Sequence, residues 1–199
     1  MAMVLTTSRL LLRPFTLDDA GDVARLANNW KVASMLTRMP HPYRHEDAAE
    51  FLNMRVKDAD HEGSHVFAIT SAGELMGATG IHLRDNGAFE LGYWLAERFW
   101  GEGYATEGVG RLVEFAFADL EVGQLVAAHF FDNPASGRVL RKLGFKPAGE
   151  VERFSLARGT AVLCHMVGQS REEWLARKTA PAPAASANLG ARQAMEDPK

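Results

Sequence analysis

Two short motifs in this 199-residue chain combine residue types that could do chemistry. The first is Arg98-x-x-Gly101-x-Gly103-x-Ala105. Its glycines permit backbone angles that other residues resist, and they clear side chains from the path of a ligand. Helical spacing starts directly afterwards, with Ala105, Val109, Leu112, Val113, Ala116 and Phe117 on one face. Free N–H groups at a helix start, reinforced by the helix dipole, make an anion site. Arg98 adds a fixed positive fork. The stretch is therefore suited to a pyrophosphate. Two other phosphate loops fail on spacing. A dinucleotide fingerprint needs Gly or Ala where Thr106 stands, and a P-loop needs a Gly-Lys-Ser/Thr triplet that does not occur.

The second motif is Asn133-x-x-Ser136, followed by Leu143-Gly144-Phe145. Asn133 reads as a helix cap, Pro134 as the first helical residue and Gly144 as a left-handed closure. Three further side chains could move a proton. Glu90 shares an alternation with Gly92 and Trp94, and a carboxylate there could act through water. His82 and His129 lie near strand ends and belong to the residue type that titrates near neutrality. Each has a plainer reading as an ion-paired carboxylate or a structural imidazole. Cys164 sits in an apolar run and reads as core.

The elements that must position these residues follow from periodicity. Phe89, Leu91, Tyr93 and Leu95 alternate with Glu90, Gly92, Trp94 and Ala96, the pattern of a strand leading into the glycine loop. Upstream, Arg9 to Phe15 is a short strand stopped by Pro14, and Thr16 caps a helix carrying Ala20, Val23, Ala27 and Trp30. Residues 30–43 read as a loop or short helix, and Glu46 to Ala59 as a second helix. Val66–Thr70 and Leu75–Leu83 form a hairpin. Downstream come a strand over Gln124–Phe131, the Asn133 helix, strands over Lys146–Leu156 and Thr160–Gln169, and helical turns over Arg171–Lys178. This order predicts an α/β fold with a mixed central sheet of about seven strands. Thr179 to Lys199 is Ala/Pro-rich and reads as linker.

The wording Leu-Gly-Tyr-Trp-Leu…Trp-Gly-Glu-Gly-Tyr-Ala-Thr-Glu, from Leu91 to Glu107, resembles the GCN5-related N-acetyltransferase (GNAT) superfamily, and within it the ribosomal-protein-alanine N-acetyltransferase branch. The Asn133 and Leu143-Gly144-Phe145 segments match the same superfamily, and the resemblance covers roughly residues 8–170. It implies a GNAT domain over 8–170 with 171–199 as a C-terminal extension. It also implies acetyl-CoA as co-substrate and direct acetyl transfer to a primary amine, either a protein N-terminus or a small molecule. Cofactor contacts would come from Trp94, Leu95, Ala96, Arg98, Trp100, Gly101, Glu102, Gly103, Tyr104 and Ala105, with Asn133 and Ser136 along the pantetheine arm. Backbone N–H groups near Trp94 to Ala96 would receive the oxyanion. Ser136, Glu90 and Asn133 are the candidate catalytic residues. Many relatives place a tyrosine acid on the helix after Asn133; this helix has none, which leaves Ser136 as the acid or the sulfur contact. The resemblance assigns acceptor specificity to the early helical region, here with Trp30, Met35, Met39, His41, Tyr43 and His45.

Composition narrows the rest. A net charge of −3 argues against non-specific nucleic-acid binding. One cysteine excludes an internal disulfide and a cysteine-based zinc site, no metal is required, and a cytoplasmic setting is expected. No membrane partner is expected, and the assembly is expected to be a monomer or homodimer. Two alternatives stay open: a catalytically silent acyl-CoA-binding module, and an α/β domain whose glycines only make a turn.

Overall fold

The computed structural model describes residues 3–57 and 63–179. Its frame is an eight-stranded mixed sheet. The strands are β1 (Leu5–Thr6), β2 (Leu11–Arg13), β3 (Ser64–Ser71), β4 (Glu74–Leu83), β5 (Phe89–Leu95), β6 (Gln124–Phe130), β7 (Lys146–Ser155) and β8 (Thr160–Ser170), in spatial order β1-β2-β3-β4-β5-β6-β8-β7. Neighbours pair antiparallel except β5 and β6, which run parallel. The eighth strand, beyond the expected seven, is β1. It is two residues long, too short for alternation to reveal, and is held by pairing Leu5 with Leu12.

Helices cover both faces. On one side lie α1 (Ala20–Ala27), α2 (Trp30–Ala33) and α3 (His45–Lys57); on the other lie α4 (Tyr104–Glu114), α5 (Pro134–Leu143) and α6 (Arg171–Thr179). The expectation for Ala59 lies outside the described residues, as do residues 180–199. Residues 171–179, read from sequence as the start of an extension, dock on the core instead. Trp174 packs 5.7 Å from Phe117, ring to ring, and Arg171 donates to the Phe117 carbonyl at 2.8 Å.

The sheet separates two cores. Val109, Leu112, Val113 and Phe117, the stripe expected for the helix after the glycine loop, bury against Leu12, Ile69, Ile81, Leu91 and Leu125. Val23, Leu26, Ala48 and Leu52 cover Ala68, Leu75 and Ala78 on the opposite face. Fully burying an aliphatic side chain contributes about 1.5–3 kcal/mol, so these two layers fix the sheet that carries the site. Strand β5 has a foot in each: Tyr93 packs on the α4 side and Trp94 on the α1–α3 side.

Candidate active site

β5 and β6 pair only from Phe89–Leu125 to Leu91–Ala127. β5 nevertheless continues to Leu95 and β6 to Phe130, so the two strands part beyond Leu91. The gap is a cleft of about 730 Å³. Ala96 N–H donates to the Met76 carbonyl at 2.9 Å, so it is spent on the β4 ladder and does not face the cleft. Antiparallel alternation gives the even positions of β5 to β4. The N–H groups of Tyr93 and Leu95 therefore point to the side that β6 has left; of the expected Trp94–Ala96 stretch, Leu95 is the residue whose N–H turns that way.

The glycine loop lies at the wide end. Gly101 and Gly103 have φ of 86° and 82°, a region that favours glycine. Gly103 is the residue before α4, and its carbonyl takes the Glu107 N–H at 3.0 Å. Arg9 clamps this turn from the N-terminal segment. Its Nη1 donates to the Glu102 carbonyl at 3.0 Å, its Nε to Glu107 at 2.6 Å, and its guanidinium stacks 4.3 Å from the Tyr104 ring. Trp100 Nε1 donates to the Leu95 carbonyl at 2.8 Å, tying the loop back to β5.

Of the expected cofactor residues, Trp94, Leu95, Trp100, Gly101, Gly103, Tyr104, Ala105, Asn133 and Ser136 line the cleft. Ala96, Arg98 and Glu102 do not. Arg98 is directed elsewhere: Nη2 donates to Glu74 at 2.6 Å and the guanidinium lies over Phe99. The cleft draws cationic side chains from α5 instead, with Arg138 and Lys142 one turn apart on its wall. Their i, i+4 spacing was readable as a shared face, but only the packing shows which way that face looks. Arg9 carried no signal, since its partners are far along the chain.

At the narrow end, Asn133 caps α5 by accepting the Ser136 N–H at 3.1 Å. The Ser136 Oγ lies 2.9 Å from the Tyr93 hydroxyl. Thus a tyrosine does meet the Ser136 helix, contributed by β5 and not by α5. The sequence reading missed it because it looked for tyrosine on the helix alone. Burial pushes the Tyr93 hydroxyl up to about 12, against the opposing effect of its hydrogen bond to Ser136.

The base candidates fare differently. Burial by itself would raise the Glu90 carboxyl; hydrogen bonds and charge from Arg153 and Arg84 outweigh it and hold the group below the usual carboxylate range. Arg84 Nε donates at 2.6 Å, and Arg153 grips the other oxygen. Glu90 is therefore a clamped anion joining β4–β5 to β7, and its two arginine partners weaken it as the expected base. His82 is pulled down to about 4, first by burial and then by the charges of Arg55, Arg38 and Arg84. It borders a second chamber and not the cleft. His129 lines the cleft, but its ring packs on α5, where a Cβ at Gly137 would come within 2.8 Å of Nε2. Cys164 is buried with its thiol raised chiefly by that burial, and it donates to the Val162 carbonyl at 3.5 Å. Among the described residues, no group of His, Cys, Asp and Glu could hold a metal ion.

The second chamber, about 550 Å³, meets the cleft along Glu90–Gly92, Trp94, Leu36 and Thr37. Met39, Tyr43, Phe51, Met54 and Leu156 supply its apolar wall. Its charged groups balance: Arg38, Arg55 and Arg84 against Asp47, Glu50 and Glu90. Of the early-region residues, Met39 and Tyr43 line this chamber, and Trp30 and Met35 line the cleft. His41 packs on Trp30, and His45 starts α3 without lining either space. The roof, Ser34–Thr37, is fastened from the β7–β8 turn: Arg158 donates to the Ser34 carbonyl at 2.6 Å and Leu156 N–H to the Thr37 carbonyl at 3.0 Å. No helix among the described residues is long and apolar enough to cross a membrane.

Comparison with known proteins agrees with this geometry. Residues 9–146 match the acetyltransferase (GNAT) domain model. The chain is 27% identical over 175 residues to the uncharacterized N-acetyltransferase p20 of Bacillus licheniformis, covering 85% of this chain and 97% of that protein. Two solved structures share the fold. RimL, a ribosomal L7/L12 α-N-protein acetyltransferase in complex with coenzyme A, superposes with a TM-score of 0.75 at 18% identity, covering 84% of this chain and 98% of its own. The ribosomal-protein-S5-alanine acetyltransferase of Vibrio fischeri gives 0.71 at 19% identity, covering 86% and 98%.

Proposed function

This chain belongs to the GNAT acetyltransferase family, and from that premise we propose that it moves an acetyl group from acetyl-CoA to the α-amine of a peptide N-terminus, or to a small amine of similar basicity. The observation that carries the acceptor reading is the charge balance of the second chamber. A polycationic amine needs a net negative cleft. Here the carboxylates face equal numbers of arginines, and Glu90 is already gripped by two. A mixed wall of Met, Phe, Tyr and paired charges suits the first residues of a peptide.

Basicity points the same way. Glu90 is held ionised and His82 titrates near 4, so neither is a strong base for an incoming ammonium. An α-amine, with a pKa of about 7.7–8.0, is substantially neutral near pH 7.5; a lysine amine near 10.4 is neutral in about one molecule in a thousand. The neutral amine attacks the thioester carbon, the N–C bond forms and the C–S bond breaks. The amine proton passes to water and the electron pair leaves on sulfur. The N–H groups of Tyr93 and Leu95, on the side that β6 has left, would receive the carbonyl oxygen as its charge grows. Proximity of amine and thioester at the junction of the two chambers supplies much of the remaining rate. The buried Cys164 thiol suits a reducing compartment, and we assign the enzyme to the cytoplasm.

The test is a competition at pH 7.5 among a short peptide with a free N-terminus, an Nα-blocked lysine peptide and a polyamine, all with acetyl-CoA. The free α-amine is expected to win by about two orders of magnitude, the ratio of neutral fractions. Preference for the polyamine would overturn the acceptor reading. Binding of acetyl-CoA with transfer to none of the three would favour a silent binding module.

A further inference from the structure

We propose that Tyr93 is a positioning residue: it donates its hydroxyl hydrogen to Ser136 Oγ, which aims the Ser136 hydrogen at the departing thiolate. This rests on the acetyl-transfer reading above and adds to it a residue that the sequence motifs did not single out.

Location comes first. The glycine loop would hold the phosphate end of the cofactor at Gly101–Gly103, and the cleft runs from there to the point where β5 and β6 rejoin at Leu91–Ala127. The acceptor chamber opens into the cleft at Glu90–Gly92 and Trp94. The thioester must therefore lie at the narrow end, beside Gly92 and Tyr93. Tyr93 and Ser136 both line this end, one from each wall.

Direction comes next. The Tyr93 hydroxyl meets Ser136 at two atoms, Oγ at 2.9 Å and the carbonyl at 3.3 Å. A phenol is the more acidic hydroxyl and an alkyl hydroxyl the more basic, so the shorter bond runs from tyrosine to serine. Ser136 Oγ, having accepted, keeps its own hydrogen for a partner in the cleft. The serine does not surrender that proton. A thiolate with a pKa near 8.5 is far too weak a base to deprotonate an alcohol. Ser136 instead donates a charge-assisted hydrogen bond to sulfur as the C–S bond breaks, and solvent protonates the released thiolate. Of the two roles expected for Ser136, acid or sulfur contact, this favours the sulfur contact. It also explains how a helix without tyrosine serves the leaving group.

The decisive measurement needs no acceptor. Coenzyme A bound to the wild type, to Tyr93→Phe and to Ser136→Ala is titrated, and thiolate is followed by its ultraviolet absorbance. The bound thiol is expected to ionise about one unit lower in the wild type than in either variant, a tenfold difference in thiolate at a fixed pH below both values. The other titratable groups along this stretch (Glu90, His129, Arg138, Arg153 and Cys164) are common to all three proteins. Steady-state kinetics should show kcat lowered about tenfold in both variants, KM for acetyl-CoA little changed, and the double variant no worse than either single one. Ser136→Thr, which keeps a hydroxyl, should recover part of kcat. Equal thiol ionisation in wild type and Tyr93→Phe, with both binding coenzyme A, overturns the positioning role and leaves the acetyl-transfer reading standing. Absence of turnover in the wild type with every amine tested overturns both.

Discussion

The cleft and the second chamber share strand β5, yet they are built in opposite ways. The loop that would hold the phosphates is nearly local: β5, Gly101, Gly103 and the first turn of α4 follow one another within residues 89–107. The second chamber is assembled from α1, the Leu36–Pro40 segment, α3, β3, β4, β5 and Leu156 just after β7. Its central anion, Glu90, is held by Arg84 from just before β5 and by Arg153 from β7. A local site depends on backbone conformation, which a short motif can encode. An assembled one depends on charges meeting across the fold, which no short motif records.

The contrast can be tested by substitutions that act on one region and spare the other. The largest effect is expected at Gly103→Trp. Its φ of 82° disfavours any side chain, and an indole there would stand in the phosphate path. Acetyl-CoA at about 100 times its dissociation constant should stabilise the wild type by roughly 2.7 kcal/mol, a shift that the variant should lose in thermal denaturation. If the variant keeps the shift, the loop is not the phosphate site. Glu90→Ala comes second. It leaves Arg84 and Arg153 facing each other with their partner gone, and their side chains are 38% and 23% exposed. A loss of about 2 kcal/mol is expected, below the range for a fully buried pair because of that exposure, and it should appear without ligand in urea unfolding. An unchanged midpoint would mean that the clamp does not hold the chamber together.

His82→Gln is the smallest and is read as a slope. The folded pKa near 4 lies below the ordinary value near 6.5, so the unfolded chain takes up the proton first as pH falls. The stability contributed by neutral His82 is therefore fully present above about 6.5 and declines between 6.5 and 4. After allowance for partial solvent screening the decline should be about 1–2 kcal/mol, and His82→Gln should flatten it. Equal slopes for wild type and variant in denaturation at stepped pH would remove His82 from the account.

The readability of the site divides along the same line. Asn133, Pro134 and Gly144 bound α5 where capping chemistry places them, because caps are satisfied by neighbours in sequence. Gly101 and Gly103 take the left-handed angles that their spacing suggested. By contrast, Arg98 reads as a phosphate fork in the motif but spends its guanidinium on Glu74, which the β4–β5 pairing brings alongside. Arg9 supports the loop instead, through Glu102 and Glu107, from an N-terminal segment that no pattern links to it. Glu90 reads as either a candidate base or an ion-paired carboxylate until β7 is laid in the sheet and Arg153 arrives. Tyr93 reads only as one position of a strand alternation until the fold sets Ser136 beside its hydroxyl.

By itself, then, the sequence determined the order of strands and helices, the glycine turn ahead of α4, the capped start of α5 and the family to which both motifs point. These rest on side-chain periodicity and on backbone angles, which are set over a few residues. Only the tertiary structure decided which charges neutralise Glu90, which cation braces the loop, where β5 and β6 part to open the cleft, and which hydroxyl meets Ser136. Those depend on groups distant in the chain coming within a few ångströms, and at that range a partner changes a side chain's charge state, direction and availability.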